Sequence, residues 1–501
     1  MTQAATYPSR EELITKLDQT KANLDQAEAK NIVLQARLDQ LHRLLFGTKS
    51  ERFVPEEIAN QLKLELGEVG KAQDPPEEQK IEYTRKKPKK KSRHAGRQPL
   101  PEHLERKVIR LEPEQDTSGM KKIGEDVTEI LELIPAKLFV LRYVRAKYAA
   151  KNGDSVLTAP LPGLPIEKGM AGPGLLAQVM IDKYMDHLPL YRQLQRFSRE
   201  KVTIASSTIG DWVAQVCILI SSLYQAHRRE VLTQLYLMAD ETPNPVLDKS
   251  KKGKTHRGYQ WAYFSPLTKT VLFDYRPGRG RDGPRDCLKN YQGFLQTDGY
   301  AVYEWFGKRE GIVLLHCMAH ARREFENALK NDPDRAQHAL LQIQKLYAIE
   351  RKAREQELSH EKRRELREEK ARPIWEAFKD WMIENYPQVT PKSSIAKAIA
   401  YSLKRWPQLG VYILDGRLEI DNNLIENSIR PIALGRKNYL FSGSHAGARR
   451  AALMYSLLGT CKLQGINPFE WLRDVLVRLP EHPVNRVAEL LPQNWKKEQA
   501  S

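Results

Sequence analysis

The sequence predicts a multidomain α+β protein. Its 501 residues exceed the roughly 250–300 that one hydrophobic core usually reaches. Heptad, strand-like and helical patterns follow one another along the chain, so the parts are expected to differ in fold. The predicted parts are a coiled coil (1–50), a basic flexible linker (51–104), a β-rich segment (105–165), a helical region that is a candidate for DNA binding (166–230), the first part of an α/β core (231–330), an all-helical insertion (331–410), the second part of that core (411–465) and a C-terminal tail (466–501).

The charge balance favours a polyanionic partner. Lys and Arg number 81 against 63 Asp and Glu, which gives a net charge of +18. Nucleic acid is the simplest partner of such a chain. No apolar run reaches the roughly 18 residues of a membrane span, and MTQAATYPSREEL lacks a signal-peptide core. We therefore expect a cytoplasmic protein without a membrane partner. The four scattered cysteines form no CxxC pair and predict no disulfide framework.

A heptad repeat over residues 13–45 predicts a coiled coil that joins two or more copies of the chain. The alternative is an amphipathic helix packed on its own protein, but four sustained heptads favour self-association. The linker that follows contains TRKKPKKKSRHAGR, which is too polar to order itself. Its Lys89, Lys90 and Lys91 are candidate phosphate contacts, and a solvated spacer explains the stretch equally well. The two heptad rows are Leu17, Leu24, Asn31, Leu38, Leu45 and Leu13, Thr20, Ala27, Leu34, Leu41.

Short strands and then helices are predicted between the linker and the core. KVIRL, TEILELI and LFVLRYVRAKYAA have strand character. GLLAQVMIDKYM and LYRQLQRFSRE are helical, and Ser206, Ser207 and Thr208 predict the N-cap of a third helix. That third helix could enter a DNA major groove, although an ordinary helical bundle explains the pattern equally well.

The order of elements over residues 232–330 is βββαβαβα, which is the order of a ribonuclease H-like core. QLYLMAD is its first strand and GFLQTD its fourth, so Asp240 and Asp298 are expected at two strand ends. The interval from Asp298 to Glu426 is 426 − 298 = 128 residues. That is too long for one helix and a loop, and its charged, periodic sequence predicts the all-helical insertion.

Asp240, Asp298 and Glu426 are the candidate catalytic and metal-binding residues. A lone Asp at a strand end usually caps a turn, but two of them on the expected strands with a helical Glu favour a shared site. Carboxylates are the ligands that Mg²⁺ prefers. Two such ions, or Mn²⁺, can activate water and stabilise a leaving oxygen in phosphodiester cleavage.

Basic residues beside Glu426 are candidates for DNA contact. Arg430 is four residues after Glu426 and shares its helix face, so it can form either a surface ion pair or a phosphate contact. In PIALGRKNYLFSGSHAGARRAA, cations alternate with Tyr439 and Phe441, a mixture suited to phosphates and unpaired bases or simply to two packed helices. These candidates are Arg430, Arg436, Lys437, Arg449 and Arg450.

HCMAH places His316, Cys317 and His320 at spacings that could bind a metal. Three ligands do not complete a structural zinc site, so zinc is not expected. The sequence leaves the role of these three residues open.

Several strings resemble the bacterial transposases of the insertion-sequence sixty-six family over most of the chain. They are LLFGTKSER, IGEDVTEILELIPA, DKYMDHLPLYRQ, MADETP, QTDGYAVYE, CMAHARREF and the stretch from NNLIENSIRP to GRKNYLFSGS. The resemblance implies a DDE transposase with an acidic triad at Asp240, Asp298 and Glu426. It also implies a leucine-zipper segment, a zinc-binding segment and accessory proteins from the same element.

The sequence departs from the family pattern in two respects. EQDTSGMKK and KYAAKNGD stand where the family has cysteine pairs, so the β-rich segment resembles a zinc-binding domain without its ligands. Asn427 follows the catalytic Glu where the family often has Arg.

The predicted function is therefore DNA transposition, with element ends and target DNA as partners and a nucleoid-associated location. Two alternatives remain: a DNA-binding relic without catalysis, and a nuclease that only hydrolyses. Intact acidic positions count against the relic, and the coiled coil counts against the nuclease.

Overall fold

The computed structural model describes residues 100–496, except for 101, 103, 114, 116–117, 119, 135–136, 150–155 and 249–253. The predicted coiled coil, Lys89, Lys90, Lys91 and nearly all of the predicted linker lie outside the described residues. The described part is a mixed α/β structure with two sheets and many helices.

The first sheet is built on one long hairpin. Its strands β2 and β3 pair antiparallel along their whole length, with a register shift between Lys122 and Gly124. β1 pairs parallel with β3, and β4 pairs antiparallel with the end of β3. The alternation of apolar and polar residues in the hairpin fits a sheet with one face on the core. The strands are β1 (Arg106–Leu111), β2 (Lys121–Ile134), β3 (Lys137–Ala149) and β4 (Val156–Thr158).

Four helices follow, where the sequence predicts a helical region. The N-cap predicted at Ser206–Thr208 is wrong: the third helix begins at Ser206, its N-cap is Ala205, and no side chain caps it. The same helix contains neither Lys nor Arg, so it offers no cation to a DNA phosphate. Its buried side chains include Trp212 and Val216, as expected for a bundle helix. The helices are α1 (Pro173–Tyr184), α2 (Leu190–Arg199), α3 (Ser206–Leu219) and α4 (Ser221–Leu232).

The second sheet contains five strands in the order β7-β6-β5-β8-β9. β5, β6 and β7 form an antiparallel meander, whereas β5, β8 and β9 run parallel. Asp240 does not close its strand as predicted, because β5 continues to Leu247. The strands are β5 (Tyr236–Leu247), β6 (Thr255–Ser265), β7 (Thr270–Arg276), β8 (Gly293–Thr297) and β9 (Ile312–His316).

Short helices cover one face of this sheet and longer ones the other. The small core on the first face includes Trp261, Tyr303 and Phe306. The large core on the other face joins the sheet to the four-helix region and to the inserted helices. The connecting helices are α5 (Asp282–Cys287), α6 (Ala301–Glu304), a 3₁₀ turn (Phe306–Lys308) and α7 (Met318–Ala328).

The chain after β9 is mainly helical as far as Leu414, slightly beyond the predicted limit of residue 410. A π-helical turn (Arg367–Ala371) lies within one continuous helical stretch. Side chains of Asp332, Ser359 and Ser393 cap the N-termini of three of the helices, as their residue types favour. The helices are α8 (Pro333–Glu355), α9 (His360–Leu366), α10 (Arg372–Asn385), a 3₁₀ turn (Tyr386–Gln388) and α11 (Ser394–Leu414).

The residues predicted as a C-terminal tail are folded as far as residue 496. Asn467 caps a helix whose Trp471 is fully buried and donates from Nε1 to the carbonyl of Leu490. This helix packs against α1, so the end of the chain completes the core of the four-helix region. The last elements are α12 (Asn423–Tyr439), α13 (His445–Leu463), α14 (Pro468–Arg478) and a 3₁₀ turn (Val484–Leu490).

Within the described residues, no single helix is long and apolar enough to cross a membrane. In the part of the chain that the structure describes, one pair of helices, α3 and α4, passes by length and composition when taken together, and the two are bent by 50° relative to each other.

Replacing Trp471 by Ala tests whether the C-terminal helix belongs to the core. We expect a loss of about 3–5 kcal/mol in the free energy of unfolding, because a large buried side chain leaves a cavity. Urea denaturation measures this loss. Val477→Ala is the matched control, since Val477 lies on the same helix and is 52% exposed. Equal effects of the two substitutions would show that α14 is not part of the core.

Candidate active site

The register of the central parallel strands brings Asp240 and Asp298 together. Tyr236 pairs with Phe294 and Met238 with Gln296. Two further steps along both strands place Asp240 opposite Asp298, which directly follows β8. Neighbouring strands lie about 4.7–4.9 Å apart, and residues paired in this way point to the same face. The two carboxylates are therefore neighbours at the carboxyl edge of the sheet.

Glu426 lies on helix α12, which is hydrogen-bonded to strand β5. Nη1 of Arg436, further along that helix, donates to Thr242 Oγ1 at 3.0 Å and to the carbonyl of Pro243 at 2.6 Å. These bonds fix α12 against β5, next to Asp240. The turn after α12 is also tied to β5, because the backbone of Ser442 donates to the carbonyl of Pro245 at 2.8 Å.

Asp240 lies close enough to Asp298 and Glu426 for their charges to interact. Its pKa is raised well above the ordinary value, first by burial and then by the negative charges of Glu241, Asp298 and Glu426. The pKa of Glu426 is also raised by burial, while Arg323 and Arg430 oppose the shift and Asp298 adds to it. Like charges at short range disfavour ionisation. Asp240 and Glu426 are thus buried acidic groups that lie beside further carboxylates.

Glu241 is a fourth carboxylate of this cluster that sequence reasoning missed. Arg279, from the loop after β7, donates to its Oε1 through Nε at 2.8 Å and Nη2 at 2.7 Å. Oε2 of Glu241 is buried without a hydrogen-bond partner. Burial and the nearby Asp298 raise the pKa of Glu241 to about 7, although Arg279 opposes the shift. The acid pair in MADETP was the only sequence signal for it.

The inserted helix α11 supports the loop that carries Asp298. Tyr401 donates to the carbonyl of Asp298 at 3.2 Å, and Arg405 donates to the carbonyl of Gly299 at the same distance. Gly299 has a φ of +83°, and a Cβ there would meet Arg405 Nε at 2.7 Å. Asp298 Oδ1 accepts from the backbone of Tyr300 at 2.8 Å. One side-chain oxygen of Asp298 is thus used to shape the loop.

Among the described residues, His316, Cys317 and His320 are not grouped closely enough to hold a metal ion together. The Cys317 thiol is buried and accepts from the backbone of Asn422 at 3.4 Å, which ties the end of β9 to the start of α12. Burial raises the pKa of this thiol. His320 lies close enough to Asp298 for their charges to interact. Cys317 is therefore a structural contact beside the site.

The carboxylates suit Mg²⁺ by donor type, because carboxylate oxygens are its preferred protein ligands. Asp240 and Asp298 each use Oδ1 for a backbone hydrogen bond and keep Oδ2 for another partner. Within the described part of the chain, however, no three His, Cys, Asp or Glu side chains are drawn together tightly enough to hold an ion. The residues therefore fit the ion chemically, and their side chains would have to close around it.

The candidate DNA-binding residues fall into two groups. Arg430, Lys437 and Arg449 are exposed, and Arg430 and Lys437 share the face of Glu426 on α12 through spacings of four and seven. Arg436 donates hydrogen bonds to β5. Arg450 is half-buried near Lys183.

The two candidate stacking aromatics also differ. The Tyr439 hydroxyl pairs with that of Tyr455 at 2.6 Å, whereas Phe441 is 39% exposed. Phe441 is therefore the aromatic that remains accessible.

Comparison with known proteins gives the family. Residues 168–450, more than half of the chain, match the profile described as "Transposase IS66 family". The chain belongs to the IS66 transposase family. Residues 456–493 match its "IS66 C-terminal element", which agrees with the folded C-terminal helix. The family is one of insertion-sequence transposases, so DNA is the partner.

Two further matches cover the N-terminal part. Residues 33–109 match "Transposase C of IS166 homeodomain", a region that lies almost wholly outside the described residues. Residues 115–150 match "zinc-finger binding domain of transposase IS66". That segment contains neither Cys nor His, so the β2–β3 hairpin has the family's zinc-finger position without thiolate or imidazole ligands.

Three curated relatives from Sinorhizobium fredii match nearly the whole chain. "Uncharacterized protein y4hP" is 32% identical, with 94% of this chain and 90% of the relative covered. "Uncharacterized protein y4jD" is 30% identical, with 96% and 98% covered. "Uncharacterized protein y4qI" is 33% identical, with 92% and 89% covered.

His316 predicts a pH dependence of stability. Burial, reinforced by Arg405, lowers its pKa from 6.5 to about 4 in the folded protein. As the pH falls from 6.5 to 4, the unfolded chain binds the proton first, so folding stability is lost in that window. Between pH 7 and pH 4, the free energy of unfolding should therefore fall by roughly 2–3 kcal/mol less in His316→Leu than in the wild type.

Urea denaturation at several pH values measures this difference. His360→Gln, at an exposed position on α9, is the control. Parallel pH profiles for wild type and His316→Leu would contradict the prediction.

Proposed function

We propose that this IS66 transposase cuts and joins DNA at a DDE site formed by Asp240, Asp298 and Glu426. The observation that carries the proposal is that three carboxylates from separate elements lie close enough for their charges to interact at the carboxyl edge of the sheet.

The strand order supports a ribonuclease H-like core. An antiparallel meander of three strands is joined to two parallel strands, and the first and fourth strands carry Asp240 and lead to Asp298. In this arrangement the all-helical insertion separates the fourth-strand Asp from the helix with Glu426.

Two Mg²⁺ ions, or Mn²⁺, would be held by Asp240, Asp298 and Glu426. When bound, such ions supply a Lewis acid and lower the pKa of water. The protein itself would contribute carboxylate oxygens that are held in place by the strands and helices that carry them. The hydrogen bonds from Arg436 and Tyr401 do this by fixing α12 and the Asp298 loop.

The reaction has two in-line displacements. In the first, a water oxygen attacks phosphorus at the element end and the P–O3′ bond breaks, which leaves a 3′-hydroxyl. In the second, that hydroxyl attacks a target phosphodiester, and the target 3′-oxygen leaves. Arg430 and Arg323 flank Glu426 and can pair with phosphate oxygens at this position.

The assembly that carries out these steps is proposed to contain at least two copies of the chain. The heptad repeat over residues 13–45 would pair them so that two element ends are held together. Accessory proteins of the same element would complete the assembly, which would act in the cytoplasm on nucleoid DNA.

The exposed cations near Glu426 should contact DNA phosphates. Lys437→Gln and Arg449→Gln should each lower the slope of log affinity against log salt concentration by about 1, because each lost contact releases one counterion fewer. Fluorescence anisotropy with duplex DNA measures the slope. Lys308→Gln is the control, since Lys308 is exposed just before β9, at the opposite edge of the sheet. Equal slopes for the three variants would show that Lys437 and Arg449 do not contact DNA phosphates.

A cleavage and strand-transfer assay on the element's own ends tests the catalytic proposal. Asp240→Asn, Asp298→Asn and Glu426→Gln should each lower the rate by at least about 10³-fold, because such groups act as one unit. The assay contains Mg²⁺ or Mn²⁺ and the element's accessory proteins. Asp380→Asn and Glu384→Gln, exposed carboxylates on α10, are matched controls.

The alternatives give different products. Cutting without joining by the wild type would indicate a nuclease that only hydrolyses. Binding of the ends without chemistry by the folded wild type would indicate a DNA-binding relic and overturn the catalytic proposal.

A further inference from the structure

Two buried arginines of the inserted helices form a charge cluster with two glutamates. Arg363 lies on α9 and Arg367 begins the π-helical turn, while Glu350 lies on α8 and Glu419 precedes α12. Arg367 and Glu350 are fully buried. Arg367 donates to Glu350 through Nε at 2.7 Å and Nη2 at 2.8 Å, and Arg363 donates to Glu350 through Nη2 at 2.6 Å.

The same arginines hold the chain segment that leads to Glu426, residues 415–421. Arg367 donates to the carbonyls of Asp415 at 2.8 Å and Leu418 at 2.8 Å. Arg363 forms a forked pair with Glu419, with both distances at 2.9 Å. Each guanidinium has five N–H donors in a fixed plane. The two arginines therefore hold residues 415–421 in a defined position and also balance the charge of the glutamates.

The other side of this segment is bonded to the strands of the active site. The backbone N–H of Glu419 donates to the hydroxyl of Tyr236 at 3.1 Å, and its carbonyl accepts from Gln296 at 3.0 Å. Tyr236 in turn donates to Gln296. The backbone of Met318 donates to the carbonyl of Ile420 at 3.0 Å.

Residues 415–421 therefore lie between the insertion and all three candidate catalytic carboxylates. Tyr236 is four residues before Asp240, Gln296 is two before Asp298, and Glu419 is seven before Glu426. One short segment thus contacts each of the three elements that carry the site.

Stability alone does not account for such a cluster. The cost of removing charges from water offsets most of their attraction, so apolar packing of the same volume would stabilise the fold as well or better. What a saturated set of directed hydrogen bonds adds is a defined geometry. A π-helical turn, as found at Arg367–Ala371, is frequently located at a functional site.

We infer that the all-helical insertion positions Glu426 against Asp240 and Asp298 through Arg363, Arg367 and the segment 415–421. The inference rests on the proposed function of these carboxylates. Arg363 acts through Glu419, and Arg367 acts through the carbonyls of Asp415 and Leu418. Both are positioning residues that touch neither DNA nor the reacting atoms. The insertion is thereby part of the catalytic apparatus and not only an added domain.

Arg363→Lys tests the inference, because it keeps the charge and removes the fork. A displacement of about 1 Å at a catalytic group can cost roughly 10²-fold in rate. We therefore expect kcat for strand transfer to fall by about that factor while the Kd for DNA stays within about twofold. Hydrogen exchange should become faster in peptides from residues 415–439 and stay unchanged in β6 and β7.

Two further variants complete the design. Arg372→Lys is the control, since Arg372 lies nine residues further along the same helical stretch and pairs with exposed Glu368. Glu419→Gln should lower kcat and speed up hydrogen exchange in residues 415–439, as Arg363→Lys does. It replaces Arg363→Lys as the test if that variant fails to fold.

The outcomes separate the inference from the proposed function. Wild-type kcat in folded Arg363→Lys and Glu419→Gln would overturn the inference alone. Faster exchange throughout the protein would also overturn it, because the cluster would then serve only stability. A folded wild type without activity would overturn the proposed function itself, and this is visible before any variant is compared.

Discussion

The parallel pairing of β5 with β8 is the contact on which the rest of the site depends. It sets Asp240 opposite Asp298, and a register shift by one residue would turn one of the two carboxylates to the other face. The pairing spans only Tyr236–Met238 on β5. The hydrogen bond between Tyr236 and Gln296 and their contacts with Glu419 reinforce it from the side chains.

The elements that carry the buried carboxylates of the site are held by hydrogen bonds from several arginines and a tyrosine. Ionised carboxylates at short range repel one another, so they would separate if their supporting elements were loose. Arg436 fixes α12, Tyr401 and Arg405 fix the Asp298 loop, and Arg279 holds Glu241. Three of these four supports come from regions outside the five-stranded sheet and its short helices. The site is thus assembled by parts that are distant in sequence.

The C-terminal helix and the inserted helices have related roles in this assembly. Trp471 closes the core of the four-helix region, whereas Arg363 and Arg367 close the segment before α12. The zinc-finger position is different, because the β2–β3 hairpin is a sheet without Cys or His. Its strands pair antiparallel along their whole length, and cross-strand side-chain pairs stabilise such a hairpin.

The sequence by itself determined the order of strands and helices, the three acidic candidates and the family, because periodicity and local motifs carry that information. It placed Asp240 at a strand end and Ser206–Thr208 at an N-cap, and both predictions were wrong because pairing with β6 extends β5 and packing decides where α3 begins. Only the tertiary structure decided the roles of Glu241, Arg279, Arg363 and Arg367. Their partners are far away in the chain, and no local pattern records which distant groups share a buried hydrogen bond.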